Sequence, residues 1–197
     1  MSAQRLFAEP SSPIPPRMIA RFAVFAVIAL AAVPAFAVTA KKTTHPAAKP
    51  AASAAGPKAI GKFDDWTAAT HQEAGTTVCY AFTRAQSSSP ALPGRGPVIL
   101  TVTERPTGRD TVAMEVGFTF APNATTTVQV DQTGLEFYTD KRNAFARDGK
   151  AAVTAFGKGS RAIARSPGPK DTTVTDTFSL KGFAPAYAAI VKACPAK

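Results

Sequence analysis

The strongest constraint on the fold is a regular alternation of apolar and polar side chains between residues 98 and 137. In a strand, side chains point alternately to opposite faces, so a period of two places one face on a core and the other in solvent. An amphipathic helix would need a period of 3.6. The segment therefore predicts consecutive β-strands, with residues 105–108 as a turn. The inward residues of the first two strands are predicted to be Val98, Leu100, Val102, then Val112, Met114, Val116, Phe118 and Phe120.

The same alternation continues towards the carboxyl terminus. Val128 and Val130 are followed by Gly134 and a strand that carries Leu135 and Phe137, which predicts a β-meander. The last predicted strand has Val174, Phe178 and Leu180 on one face. Asp176 interrupts that inner face, so we expect it at a sheet edge.

Two segments have helical spacing. Asp148 is a candidate N-cap for a helix over residues 149–156, which Gly157 would end. A carboxy-terminal helix starting near Pro185 would present a single apolar face, formed by Phe183, Tyr187, Ile190 and Cys194. The predicted fold class is all-β, a β-sandwich with two short helices, one of them C-terminal.

The amino-terminal 37 residues have the organisation of a signal peptide. Arg5, Arg17 and Arg21 precede an uncharged apolar run over residues 22–33, and Ala37 is the small residue expected before a cleaved bond. The run is shorter than the about 20 residues that a membrane-spanning helix needs. We therefore predict export, cleavage between Ala37 and Val38, and no integral membrane span afterwards. Retention as an uncleaved anchor is the alternative.

Residues 38–59 differ in composition from the rest of the chain. They are rich in alanine, proline and lysine and contain no aromatic or acidic residue. Such a segment cannot bury enough apolar surface to offset its ordering entropy. It is predicted to be a disordered linker, and residues 60–197 are predicted to form a single domain.

Export to an oxidising compartment would allow the two cysteines to pair. Cys79 lies on the opposite face of its predicted strand from Val78, Tyr80 and Phe82, and the helical spacing places Cys194 inward. A Cys79–Cys194 disulfide would close a loop of roughly 115 residues. Two separate buried thiols are the alternative.

The chain lacks the patterns that common catalytic and metal sites require. No Gly-x-Ser-x-Gly pentapeptide occurs, and Lys158 is followed by glycine where a phosphate-binding loop needs serine or threonine. Asp64 and Asp65 are adjacent, so in a strand they would point to opposite faces. His45 and His71 stand apart from each other. We predict no catalytic residues, no cofactor and no metal site.

Positive charge is concentrated in residues 141–170, which hold eight lysines and arginines against Asp148 alone. In a strand there, Arg161 and Arg165 would share one face, while the alanines between them would point to the other side. With Lys158 they form a candidate surface for an anionic envelope component or an acidic protein. A solvated face that aids solubility is the alternative. Nucleic acid is not expected as a partner of an exported protein without an aromatic-interleaved motif.

Four segments resemble the invasion-associated locus B family, which consists of exported proteins of alphaproteobacteria. They are residues 63–67 (Phe-Asp-Asp-Trp-Thr), 78–80, 145–150 and 176–183. The last of these segments ends in Ser-Leu-Lys-Gly-Phe. The chain departs from the commoner pattern of the first segment by having Asp64 in place of glycine. The resemblance implies a β-sandwich without established catalytic residues and, for a chain exported by a cleaved signal peptide, a location in the periplasm or cell envelope. Trp66 and Phe183 are predicted to be core anchors.

Together these features predict an exported, non-enzymatic envelope protein that binds another envelope component. A structural or stress-protective protein without a specific ligand, or an unrecognised envelope enzyme, is the alternative.

Overall fold

The computed structural model describes residues 56–196. The predicted signal peptide, the Ala37–Val38 bond and residues 38–55 of the predicted linker lie outside the described residues. Within them are eleven strands and two α-helices, α1 (Gly149–Lys158) and α2 (Phe183–Ala193). The strands are β1 (Lys58–Phe63), β2 (Trp66–Glu73), β3 (Thr76–Arg84), β4 (Ser87–Ser89), β5 (Ile99–Arg105), β6 (Gly108–Glu115), β7 (Thr125–Val130), β8 (Thr133–Asp140), β9 (Asn143–Ala146), β10 (Arg161–Pro167) and β11 (Thr173–Ser179).

All eleven strands belong to one antiparallel sheet in the order β1-β2-β3-β5-β6-β9-β8-β7-β10-β11-β4. After β3 the chain crosses to the far edge of the sheet, where β4 pairs with β11. Just before β4, the Gln86 amide donates a hydrogen bond to the Thr177 carbonyl. Inward side chains from both halves of the sheet and from both helices form one hydrophobic core. The predicted all-β domain with two short helices, one of them C-terminal, is confirmed.

The alternation correctly predicts which side chains face the core. Leu100, Val102, Val112 and Met114 are buried, and residues 106 and 107 form the predicted turn. However, β6 ends at Glu115 and does not continue to residue 120. Gly117 has a φ of 79°, a backbone conformation that a continuing strand cannot contain. Val116 and Phe120 remain buried, but as parts of the following loop.

Both helices form where their sequences predict, with shifted ends. The Asp148 carboxylate accepts a hydrogen bond from the Ala151 amide at 2.9 Å, as an N-cap does. Helix α1 continues through Gly157 to Lys158. Helix α2 begins at Phe183, so Pro185 lies in its first turn, where a missing amide hydrogen removes no helical hydrogen bond.

The first strand extends into the segment predicted as linker. β1 begins at Lys58, so residues 58 and 59 pair with β2 and belong to the sheet. These two residues therefore differ from the prediction, which assigned them to the linker.

Residues 63–67 and 179–183 contact each other across the end of the domain. The indole Nε1 of Trp66 donates to the Ser179 carbonyl at 3.0 Å. The rings of Trp66 and Phe183 meet edge to face, with centroids 4.9 Å apart. Both rings are buried. The prediction that these two residues anchor the core is confirmed.

Backbone geometry explains why residue 182 is glycine and why aspartate is tolerated at position 64. Gly182 has a φ of 85°, and a Cβ atom there would lie 2.0 Å from the Phe63 carbonyl oxygen. Only glycine fits this position. Asp64, in the turn between β1 and β2, has a φ of 48°. Aspartate tolerates this left-handed conformation, although glycine adopts it more readily.

Candidate functional site

Strand β10 carries the two arginines predicted to form an anion-binding surface. Arg161 and Arg165 are exposed, whereas Ala162 and Ala164 between them are buried in the core. The predicted orientation of this strand is therefore confirmed. Because β10 pairs with β7 on one side and β11 on the other, the arginines lie inside a continuous sheet face. We call this surface, Arg161, Arg165 and their strand neighbours, the β10 face.

The neighbours of the arginines are short polar side chains. In the pairing register Arg165 lies between Thr127 of β7 and Thr175 of β11. Ile163, between the two arginines, lies opposite Gln129 and Thr177. Among the described residues, no carboxylate lies within 4.0 Å of either guanidinium group.

The remaining basic residues of the segment are placed elsewhere. Lys158 is the last residue of α1 and lines a depression with Lys150 and Thr133, so the structure does not place it on the β10 face. Arg147 forms an exposed ion pair with Glu136, at 2.6 Å between Nε and Oε1. The positive charges that are close together in the sequence therefore lie on separate surfaces of the folded domain.

A buried ion pair, not expected from the sequence, joins β11 to the loop before β5. Asp176 is completely buried, and its carboxylate accepts two hydrogen bonds from the Arg95 guanidinium, at 2.8 and 2.7 Å. The Ser88 hydroxyl donates to the same carboxylate at 2.6 Å. The predicted edge position of Asp176 is wrong, because β4 covers that side of β11 and the residue faces inward.

A second polar cluster lies beside the end of α2. The buried Glu104 carboxylate accepts a hydrogen bond from the Asp110 amide at 3.2 Å and lies 2.6 Å from Arg109 Nε. The Tyr187 hydroxyl donates to the Asp110 carboxylate, and Arg109 donates to the Cys194 carbonyl. These contacts tie β5 and β6 to the last helix.

Burial raises the pKa of Glu104 to about 7 and also raises the pKa of Tyr187. For both groups the main cause is desolvation of the charged form. Glu104 has no exposed surface, so a bound molecule cannot reach its carboxyl group. The protonation of the Glu104 carboxyl group therefore affects the stability of the fold.

The sign of this linkage gives a testable pH dependence. An unfolded glutamate loses its proton near pH 4.5, whereas folded Glu104 keeps it to about pH 7. As pH rises through this window, the unfolded state loses its proton first, and the free energy of unfolding should fall by about 3 kcal/mol. Denaturant titrations between pH 4 and 8 would measure the fall. In the Glu104→Gln variant this part of the pH dependence should disappear.

Glu73→Gln is the matched control, because Glu73 forms an exposed ion pair with Arg105. Its pH profile should follow that of the unchanged protein. A Glu104→Gln variant whose stability falls as steeply as that of the unchanged protein would contradict the assignment.

The two cysteines form the predicted disulfide. Cys79 of β3 is bonded to Cys194, the residue that follows α2, with their Cα atoms 5.9 Å apart. The alternative of two separate thiols does not apply, because both cysteines are in this bond. The disulfide fastens the last helix to the sheet beside the Glu104 cluster.

The outer face of β3, β5 and β6 contains a groove of about 740 Å³. Tyr80 and Phe82 form its aromatic wall, with ring centroids 6.0 Å apart, and His71 meets Tyr80 at 5.4 Å. The sequence indicated only that Tyr80 and Phe82 share the face opposite Cys79. The groove itself was missed, because its other residues come from distant strands. They include Ile99, Thr101, Thr103, Arg105, Ala113, Glu115 and Asn143.

The described residues contain no cluster of three or more histidine, cysteine, aspartate or glutamate side chains that could hold a metal ion. Neither helix within residues 56–196 is long and apolar enough to cross a membrane.

Comparisons with known proteins agree with this architecture. Residues 66–191 match the family model described as invasion associated locus B (IalB) protein. The crystal structure of invasion associated protein B from Bartonella henselae is similar, with a TM-score of 0.50 and 17% sequence identity. The likeness covers 68% of this chain and 95% of that chain, and at this identity it shows the fold. No curated protein matches the chain.

Proposed function

The chain belongs to the invasion associated locus B family, and from this premise we propose that it is an exported, non-enzymatic protein that binds an anionic component of the cell envelope through the β10 face. The family is envelope-associated and is not known for an enzymatic activity. The observation that carries the binding proposal is the pair of exposed arginines, which have no carboxylate partner among the described residues.

The sequence and the disulfide support export. A basic segment, an apolar run and Ala37 have the order of a cleaved signal peptide. A disulfide is typical of proteins that fold in an oxidising compartment such as the periplasm. After cleavage at Val38, the alanine- and proline-rich residues before β1 would act as a spacer that gives the domain reach.

The chemistry of the β10 face favours phosphate-bearing partners. A guanidinium group presents paired donors that match phosphate oxygens. Arg161 and Arg165 are four residues apart in one strand, so their Cα atoms are separated by about 13 Å. Each arginine therefore meets a different anionic group. This spacing favours a surface with many phosphates, such as lipid or lipopolysaccharide headgroups, over one small anion.

The test is sedimentation of the full-length protein with outer-membrane vesicles. Replacing both Arg161 and Arg165 with glutamine should weaken binding about 30-fold, since each basic residue near an anionic membrane contributes about 1 kcal/mol. The domain should remain folded because both side chains are exposed. Circular dichroism would check the fold.

The matched control replaces Lys141 and Lys192, two exposed lysines outside the β10 face, with glutamine. This variant has the same net charge as the arginine variant and should bind nearly as well as the unchanged protein. Equal losses of vesicle binding in both variants would show that net charge alone causes the effect, and would overturn the assignment to the β10 face. Unchanged sedimentation of the arginine variant would overturn the proposal.

A further inference from the structure

The groove on the outer face of β3, β5 and β6 differs in chemistry from the β10 face. Its volume of about 740 Å³ is within the range of about 300–1,000 Å³ found for small-molecule sites. It is open along the sheet and lined by side chains from several strands. The groove therefore has room for part of an elongated ligand.

The wall of the groove is a strip of flat rings. Tyr80 and Phe82 project from the same face of β3, and their ring planes differ by only 26°. His71 of β2 meets Tyr80 edge to face, with an angle of 66° between the ring planes, so the near-parallel rings are Tyr80 and Phe82 alone. The face of an aromatic ring carries partial negative charge, which attracts the polarised C–H groups on the face of a sugar ring. The strip therefore suits a chain of sugar rings lying along it.

Polar side chains lie beside this strip on the same sheet face. Thr101 and Thr103 of β5 and Asn143 of β9 line the groove. Their side chains form no hydrogen bond to another described residue. Hydroxyl and amide groups both donate and accept. They can therefore bind the hydroxyl and N-acetyl groups of a sugar.

The charged side chains in the lining give the groove no excess of positive charge. Arg105 and Glu115 have opposite signs, and Arg105 is held by Glu73 at 2.9 Å. A polyanion would find no excess of positive charge there, and a lipid chain would leave the polar wall without partners. From the near-parallel rings of Tyr80 and Phe82, the free amide and hydroxyl groups and the lack of excess positive charge, we infer that the groove binds a neutral glycan chain.

The inference is tested with chitotetraose, a neutral glycan with N-acetyl groups, titrated calorimetrically into the full-length protein. We expect saturable binding that weakens about tenfold or more in the Tyr80→Ala variant, as for a central aromatic contact. Asn143→Ala should weaken binding without removing the aromatic wall. Tyr138→Ala is the control, because Tyr138 is an exposed aromatic residue that does not line the groove.

The other occupants are distinguished in the same titration. Absence of saturable glycan binding, or an equal loss in Tyr138→Ala, would overturn the inference. Tighter binding of a synthetic peptide of residues 38–57, or of a detergent with an alkyl chain, would overturn it in favour of that ligand. The Arg161→Gln, Arg165→Gln variant should bind chitotetraose normally, so failure of the β10 proposal leaves this one intact.

Discussion

Replacing Asp176 with alanine should lower the free energy of unfolding by about 3–5 kcal/mol, the cost of breaking a buried ion pair by removing one partner. The Arg95 side chain is only 5% exposed, and without Asp176 its charge would remain buried with no carboxylate opposite it. The Ser88 hydroxyl would also lose its acceptor. Chemical denaturation of the oxidised protein would measure the loss.

The control is Glu136→Ala, which breaks the exposed Arg147–Glu136 pair. Its two side chains are 54% and 59% exposed, so the loss there should be below about 1 kcal/mol. A double variant, Arg95→Met with Asp176→Leu, should be more stable than Asp176→Ala because no buried charge remains. If Asp176→Ala were no less stable than Glu136→Ala, the structural role given to Arg95 would be wrong.

Loss of the disulfide should lower the free energy of unfolding by about 4 kcal/mol. The bond joins residues that are 115 positions apart, and closing so long a loop removes many conformations from the unfolded chain. Cys79→Ala and Cys194→Ala should each show this loss. The double variant should lose little more than either single variant, because all three lack the same bond.

Adding a reductant allows the oxidised and reduced forms of the same protein to be compared. Complete reduction should lower the melting temperature of the unchanged protein towards that of Cys79→Ala, whereas the double variant should not respond. An unchanged melting curve after reduction, with both thiols verified by mass spectrometry, would contradict a stabilising role of the bond.

Two of the four segments that carry the family resemblance, residues 63–67 and 176–183, have a common physical role. Trp66 and Phe183 bury their rings against each other, and Gly182 allows the backbone to approach the Phe63 carbonyl. The exposed Lys181–Asp64 pair, at 3.2 Å, lies at the same junction. These residues hold the start of the sheet on the last helix.

The two candidate surfaces differ in how far local sequence reveals them. The β10 face was predictable, because Arg161 and Arg165 lie in one strand and alternation assigns them to one side. The groove on the outer face of β3, β5 and β6 was not predictable, because these strands and β9 meet only in the folded sheet. Short strands such as β4 and β9 contain too few residues to show a periodic pattern.

The sequence by itself determined the strand faces and the two helices, and it left each cysteine only one possible partner, whereas the bond itself appears in the structure. These features depend on interactions within a few residues, on the contrast between apolar and polar side chains, or on there being only two cysteines. Tertiary structure alone decided where the charged residues of the interior lie. Asp176 could turn inward because Arg95, 81 positions away, reaches its carboxylate. A buried charge is tolerated only when the fold supplies its partner, and no local pattern contains that information.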